Sequence, residues 1–242
     1  MVKKIPVDLT VSPSNGETLD GKGQLTSRLE DQLTRFLKNI FQRLYPYGEF
    51  RVGTDVYLTF DDGPIPEVTP QVLAILAQYK VKATFFMVGE NIDKHPEVFD
   101  QVVQAGHSIG NHTYNHLKGW CYSTPTYLGN VEQWEEAVMR HMPNGHLAPV
   151  LNRFRPPYGK ATWLQRRMLH LMGYRLIYWD ILTRDYDKNV TPEEMLANIK
   201  QNTRPGSIIN FHDSLKSNER MLSVLPQAIE WLLAQGYTLK AL

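Results

Sequence analysis

Two histidines four residues apart, His112 and His116, and an acidic pair, Asp61 and Asp62, are the residues best suited to chemistry in this chain. Residues four apart on a helical turn share a face, so the spacing predicts a short helical turn that directs both imidazoles at one ion. Two histidines and one carboxylate form a common catalytic zinc set with a position left open for water. We predict Asp62 as the carboxylate ligand. Asp61, whose side chain diverges from that of its neighbour, is the predicted base that takes a proton from the water.

Three further motifs follow along the chain: Arg155-Pro156-Pro157-Tyr158, the aspartates Asp180 and Asp185, and Ile208 to Asp213, which contains His212. Each motif alone has a commonplace interpretation, because acidic pairs before Gly-Pro are usually solvated turns and spaced histidines are usually surface residues. Their order and their placement at predicted strand ends argue against coincidence. Together the motifs supply three metal ligands, a base, a cation and a histidine acid, which suffice to hydrolyse an amide or ester with a metal-bound water.

Strand-like and helix-like segments alternate along the chain, a pattern that implies a parallel sheet. Predicted strands are 56–60, 83–88, 107–110, 153–155, 174–180, 207–211 and 237–239, and predicted helices are 69–78, 96–104, 127–142, 162–171, 192–201 and 219–235. This count favours a closed or nearly closed barrel. The motif residues follow the carboxyl ends of predicted strands, where the active sites of such barrels lie.

The five motifs in this order resemble those of the polysaccharide deacetylases, carbohydrate esterase family four, which share the chitooligosaccharide deacetylase (NodB) homology domain. The resemblance covers residues from about Val56 to about Leu239. It implies an α/β fold, a distorted (β/α) barrel of seven or eight mostly parallel strands. It also implies a hydrolase that removes the N-acetyl group of an N-acetylated glycan and releases acetate. The implied cofactor is one divalent metal ion, with zinc favoured and cobalt or another divalent ion as alternatives.

The resemblance also implies roles for individual residues. Asp61 corresponds to the base, and Asp62, His112 and His116 correspond to the metal ligands. Arg155 corresponds to the arginine that holds the base. The backbone N–H of Tyr158 corresponds to the donor that stabilises the oxyanion beside the metal.

The general acid implied by the resemblance is His212, supported by an aspartate of the fourth motif. We predict Asp185 as this supporting residue because it precedes an aromatic residue, Tyr186, where the family usually has tryptophan. Asp180 is the second candidate, and we also assign it to the substrate site. Trp120, just beyond the histidine pair, is a candidate for stacking on a sugar ring, with a buried structural tryptophan as the alternative.

One residue departs from the family pattern. The family usually carries leucine two residues before the acidic histidine, lining the pocket for the acetyl methyl group, whereas this chain has Asn210. Residues two apart in a strand face the same way, so Asn210 is expected to point into the barrel mouth beside His212, while Ile209 and Phe211 face the helices. We therefore expect weak activity on plain N-acetyl sugars, or a preference for a formyl or more polar acyl group.

The alternatives to glycan N-deacetylation use the same machinery or none of it. An O-acetyl xylan esterase and a small amide or ureide hydrolase would keep every motif. A non-catalytic carbohydrate-binding barrel would not need the base Asp61 or the acid His212, so their presence argues against it. The expected partner is an acetylated carbohydrate.

Composition indicates an ordinary globular enzyme. The 242 residues are 42% hydrophobic, enough for one large core, and the net charge of +1 gives no indication of a nucleic-acid partner. Cys121 is the single cysteine, which excludes an internal disulfide. No stretch approaches the roughly 18 apolar residues of a membrane span. Residues 1–20 lack the apolar core of a signal peptide. We therefore expect a cytoplasmic protein by default, with unconventional export or a misassigned start as alternatives.

The predicted organisation has three parts: a polar tail at 1–25, an amphipathic helix and lead-in at 26–55, and the catalytic barrel at 56–242. Apolar residues recur with helical spacing between Arg28 and Leu44. We favour packing of this helix on the barrel. Docking on a membrane surface or a partner is the alternative, because its polar face has a basic bias.

Overall fold

A computed structural model describes residues 53–142 and 152–242. The predicted tail at 1–25 and helix at 28–44 lie outside these residues, so their predicted roles remain untested. Within the described ranges, no helix has both the length and the apolar character needed to cross a membrane.

The described residues form one eight-stranded sheet surrounded by helices. The strands are β1 (Asp55–Asp61), β2 (Thr84–Met87), β3 (Ser108–Asn111), β4 (Arg153–Phe154), β5 (Arg175–Leu176), β6 (Ile181–Leu182), β7 (Ile208–His212) and β8 (Thr238–Lys240). The helices are α1 (Thr69–Gln78), α2 (Gly89–Lys94), α3 (Pro96–Gln104), α4 (Thr124–His141), α5 (Trp163–Leu171), α6 (Pro192–Asn202) and α7 (Asn218–Ala234), with 3₁₀ turns at Gly119–Cys121 and Pro157–Gly159.

The strand order is β5-β4-β3-β2-β1-β7-β6, and β8 pairs with the first half of β1. Every pairing is parallel. Parallel strands joined through helices place all their carboxyl ends on one face, where active sites of such folds lie. The predicted distorted α/β barrel is confirmed.

Side chains along β1 point alternately into the apolar core beneath the helices and into the barrel interior. Val56, Leu58 and Phe60 are fully buried in the large core formed with the helices. Tyr57 belongs to a second cluster inside the barrel, and the side chains of Thr59 and Asp61 follow on the same face because strand side chains alternate. The interior therefore changes from apolar to polar toward the carboxyl end of the sheet.

The predicted strand 174–180 is wrong in part, because only Arg175–Leu176 (β5) is a strand there, and a further strand that was not predicted, β6, begins at Ile181. The amide of Ile177 still bonds to Phe154 of β4, but the amide of Asp180 bonds to Ile208 of β7. The chain between β5 and β6 thus passes from one edge of the sheet to the other. Helix α2, which the sequence analysis missed, has only six residues, too few for a clear apolar period.

Candidate active site

Three predicted metal ligands converge at the carboxyl end of the sheet. Asp62 follows the last residue of β1, and His112 follows the last residue of β3. The Nε2 atoms of His116 and His112 lie 3.2 Å and 3.7 Å from Oδ1 of Asp62, and one ligand atom from each residue lies within 4.8 Å of the others. Ligands about 2.0–2.2 Å from a tetrahedral ion are roughly 3.3–3.6 Å apart. The spacing of the three side chains therefore fits one bound ion.

The predicted helical turn between His112 and His116 is wrong, because this segment is an irregular loop. Thr113 and His116 adopt left-handed backbone conformations, with φ of 63° and 54°. Side chains replace the helical hydrogen bonds: Asn111 accepts from the amide of Thr113, and Asn130 accepts from the amides that follow. The loop still brings the two imidazole centroids to 5.0 Å.

Two features of the triad suit a metal. Nδ1 of His112 lies 2.7 Å from the carbonyl oxygen of Arg155, which only accepts, so Nδ1 donates and Nε2 keeps its lone pair for an ion. Burial lowers the pKa of His112 to about 4, so its imidazole is neutral at neutral pH. Oδ1 of Asp62 is buried and accepts no hydrogen bond from the described residues. A cation would satisfy that oxygen.

The electrostatic environment of Asp62 keeps its carboxyl group charged, the form in which it can bind a metal ion. Burial alone would raise the pKa of this carboxyl, but the His116 imidazole 3.2 Å away and the positive charge of His212 hold it below its usual range. Its φ of 86° lies in the left-handed region, which costs an aspartate on the order of 1 kcal/mol or more. Such a conformation persists where surrounding contacts enforce it.

The predicted base and cation form a buried pair. Nη1 of Arg155 donates to Oδ1 of Asp61 over 2.7 Å, and both side chains are almost completely excluded from solvent. The guanidinium carbon lies 4.1 Å from the ring centroid of Phe86, and the other guanidinium nitrogens donate to the carbonyls of Ile177 and Tyr178. Arg155 is therefore fixed in place and holds one oxygen of the Asp61 carboxylate.

Asn210 occupies the interior of the barrel beside Asp61, with no solvent-exposed surface. Its Nδ2 donates to Oδ2 of Asp61 over 3.0 Å, while its Oδ1 accepts from Arg155 over 2.5 Å and from Thr59 over 3.0 Å. Ile209 and Phe211 lie in the core shared with the helices, as predicted. The amide thus bridges base and cation. Its contact with the acyl group stays a prediction.

The predicted acid, His212, is the last residue of β7 and is in register with Asp61 on β1. Its Nδ1 lies 2.7 Å from Oδ1 of Asp185, whose Oδ2 accepts from the His212 amide over 2.7 Å. Burial lowers the pKa of His212, but the charge and hydrogen bond of Asp185, with smaller effects of Asp62 and Asp61, raise it to about 9. The imidazolium can therefore persist at neutral pH as a proton donor.

Asp180, the second candidate to support His212, instead accepts from the amide of Ile208 over 3.1 Å and lies 4.0 Å from Nη2 of Arg204. The structure thus brings Asp185, and not Asp180, to the histidine. The contacts of Asp180 stabilise the start of β7. The assignment of Asp180 to the substrate site remains a prediction. On the outer side of the acid, Tyr186 packs edge-on against His212 at 5.1 Å.

Tyr158 and Trp120 form an exposed aromatic wall beside the metal ligands. The Tyr158 ring lies 4.8 Å from that of His116 and 5.7 Å from that of Trp120. About half of each of the two side chains is exposed, so the alternative of a buried tryptophan does not apply to Trp120. Tyr158 has a left-handed φ of 60° in its 3₁₀ turn. Both rings are available to a ligand.

Comparison with known proteins shows which family has this arrangement. The sequence profile of a family described as polysaccharide deacetylase matches residues 51–177, more than half of the chain. The chain belongs to the polysaccharide deacetylase family.

Relatives of this chain include named glycan deacetylases. A peptidoglycan-N-acetylglucosamine deacetylase of Bacillus cereus is 37% identical over 70% of this chain, although the match spans only 58% of that protein. A chitooligosaccharide deacetylase of Azorhizobium caulinodans is 30% identical over 78% of this chain and 93% of its own length. A solved peptidoglycan N-acetylglucosamine deacetylase, bound to a naphthyl N-hydroxybenzamide, superposes with a TM-score of 0.74 at 32% identity, covering 79% of this chain and 87% of that one.

One buried residue at the site, Asp213, was given no role from the sequence alone. Its Oδ1 accepts from the amide of Gly63 over 3.0 Å, and its Oδ2 accepts from Oγ1 of Thr69 over 2.6 Å. Burial raises the pKa of Asp213 to about 8. A Cβ on Gly63 would lie 2.0 Å from Oδ2 of Asp213, so glycine is needed for this contact. Asp213 therefore ties the loop that carries Asp62 to β7. Its place directly after His212 was the available signal.

Proposed function

We propose that this protein hydrolyses the N-acetyl group of an N-acetylated glycan and releases acetate. The observation that carries the proposal is the placement of Asp61 and His212 on paired strands, in register, beside a three-ligand metal site. A carbohydrate-binding barrel would have no use for a buried base fixed by arginine or for a histidine held as its cation. Membership of the polysaccharide deacetylase family supports the same conclusion.

The chain's own residues divide the proton transfers between two sides of the site. Asp61, held by Arg155 and Asn210, accepts a proton from the attacking water. His212, oriented and charged by Asp185, donates a proton to the leaving nitrogen, because an amine anion is too poor a leaving group. The amide of Tyr158 is the proposed donor to the developing oxyanion.

The metal site completes this set. Asp62, His112 and His116 would hold the ion, which when bound polarises the acyl oxygen and lowers the pKa of water. We propose zinc, since two imidazoles and one carboxylate form a common zinc donor set with an open position. Cobalt or another divalent ion would also fit these donors.

The test is acetate release from defined substrates by metal-loaded and chelator-treated protein. We expect release from N-acetylated oligosaccharides, loss of release with chelator, and recovery with zinc. Acetylated xylan and small amides or ureides serve as comparison substrates. Faster turnover of acetylated xylan would assign the site to an O-acetyl esterase. Binding of glycan without release of any acyl group would favour the non-catalytic barrel.

A further inference from the structure

Two lysines and two aromatic residues interlock beside the metal site. Lys118 and Trp120 belong to the loop after β3, and Tyr158 and Lys160 belong to the loop after β4. Nζ of Lys118 lies 5.4 Å from the Tyr158 ring centroid, and Nζ of Lys160 lies 5.7 Å from that of Trp120. Each loop thus places its ammonium over the aromatic ring of the other. We name these four residues the lysine–aromatic wall.

The wall lies directly beside the chemistry. The ring of Tyr158 contacts that of the metal ligand His116, with centroids 4.8 Å apart. A sugar stacked on Tyr158 or Trp120 would therefore be a close neighbour of the sugar whose acyl group is hydrolysed. The two ammonium groups would lie at the edge of that neighbouring sugar.

The two segments that carry this wall are rich in basic residues and contain no acidic ones. Residues 112–131 and 152–179 contain seven lysines and arginines and no aspartate or glutamate, although the whole chain has 26 basic and 25 acidic residues. Arg155, one of the seven, is paired with Asp61 inside the barrel. Lys118 and Lys160 are exposed, and neither forms an ion pair with a carboxylate in the ranges 53–142 and 152–242.

Cation–π contact alone does not explain two lysines at this place. An exposed contact of this kind stabilises by only about 0.5–1 kcal/mol, and leaves the ammonium hydrated and able to bind an anion. The aromatic faces offer stacking to a sugar ring, while the ammonium groups offer charge to a substituent on it. The combination matches a sugar that carries an anionic group.

We propose that the lysine–aromatic wall binds an anionic sugar adjacent to the sugar that is deacetylated, so that this enzyme prefers a glycan bearing carboxylates over a neutral one. The inference rests on the proposed function and specifies its substrate class. The lysines act in binding and not in the chemical step. Their contribution should therefore appear in KM and weaken with added salt, because exposed charges are screened.

The experiment compares two glycans of equal length and shape. One alternates N-acetylglucosamine with its 3-O-lactyl ether, which carries a free carboxylate. The other is the same strand with every lactyl carboxylate converted to the neutral N-methylamide. Acetate release gives kcat/KM for each, and tryptophan fluorescence gives Kd on the zinc-loaded protein.

We expect wild-type protein to favour the carboxylate strand by about two- to tenfold at low salt, the range that exposed ion pairs support. The difference should lie in KM and Kd and should shrink at 0.5 M salt. The double variant Lys118→Gln/Lys160→Gln should bring the ratio of the two strands to about one, whatever its rate on the neutral strand. The double Lys→Arg variant should keep the ratio. Lys200→Gln, which removes an exposed charge on α6, should leave both rates unchanged.

Equal wild-type rates on the two strands, or a preference that persists at high salt or in the double Gln variant, would overturn the proposal. If the double Gln variant does not fold, the salt dependence of the wild-type ratio still decides. Acetate release from neither strand would refute the proposed function instead. The two Kd values would then test the wall independently of catalysis.

Discussion

Asn210→Leu tests whether the base depends on the buried amide. Leucine removes three hydrogen bonds, but most of the groups that lose a bond keep another hydrogen-bond partner. Arg155 keeps its bonds to Asp61 and Thr59, at 2.7 Å and 2.8 Å, and Thr59 keeps its bond to the carbonyl of Ile209. Oδ2 of Asp61 loses the only hydrogen-bond donor that it has among the described residues.

An acceptor left unsatisfied in a buried, charged group costs about 1–3 kcal/mol. For a domain of this size each kcal/mol corresponds to roughly 2–4 °C in Tm, so we expect Asn210→Leu to lower Tm by about 2–12 °C. Thermal and urea unfolding of chelated protein would measure the loss. Asn198→Leu is the control, since it removes one bond to the backbone carbonyl of Leu182 and one from Nδ2 of Asn202, and touches no charge.

A double-mutant cycle isolates the contribution of the Asp61 charge to the loss of stability. In an Asp61→Asn background the loss from Asn210→Leu should fall to less than half, because the stranded oxygen no longer belongs to a carboxylate. An unchanged Tm for Asn210→Leu, or an equal loss in both backgrounds, would refute this account of the network.

Activity tests the separate sequence-based prediction for the acyl pocket. If Asn210 also faces the acyl group, leucine surrounds the acetyl methyl and raises kcat/KM on N-acetyl substrates by roughly tenfold. No gain in the variant, together with a wild-type preference for acetyl over formyl substrates, would remove Asn210 from the acyl pocket.

The remaining predictions concern metal, base and acid. His112→Ala should lose both the single equivalent of bound metal and activity, and elemental analysis that still finds one ion would contradict the ligand assignment. Asp61→Asn should keep the metal but lose about 10²–10⁴-fold in kcat; a near-normal rate would show that another group is the base. His212→Ala should slow amides more than activated esters, and equal losses would mean that it serves binding. Because the pKa of His212 is raised to about 9, wild-type kcat should fall as pH rises through that value, and Asp185→Asn should move the fall toward pH 6.5. The same raised pKa adds stability that is full below about pH 6.5 and lost as pH rises through 9, so urea unfolding of chelated protein should show a shallower decline in Asp185→Asn.

Strand-borne features of this site were predictable from local sequence. Residues such as Asn210 and His212 face the barrel interior because a strand alternates, and the apolar neighbours of Asn210 identify the opposite face. Parallel strands also guarantee that residues at their carboxyl ends meet. Neither inference needs knowledge of distant contacts.

Loop-borne features were not predictable in the same way. The spacing of His112 and His116 suits a helical turn, but the loop conformation depends on Asn130 of α4, which lies 16 and 15 positions beyond the two amides that it binds. The contact of Asp213 with Thr69 spans 144 positions. Such side-chain bonds have no local period, so no pattern in a short window reports them.

The in-register pairing of β1 with β7 also has a consequence for how such enzymes can change. Asp61 and His212 owe their separation to the sheet itself, whereas Trp120 and Tyr158 are attached to segments beyond it. Loop transplants between relatives could therefore exchange the sugars that are recognised without disturbing proton transfer. A one-residue shift of β7 against β1 would do the reverse: it would turn the histidine toward the core and leave the sugar contacts intact.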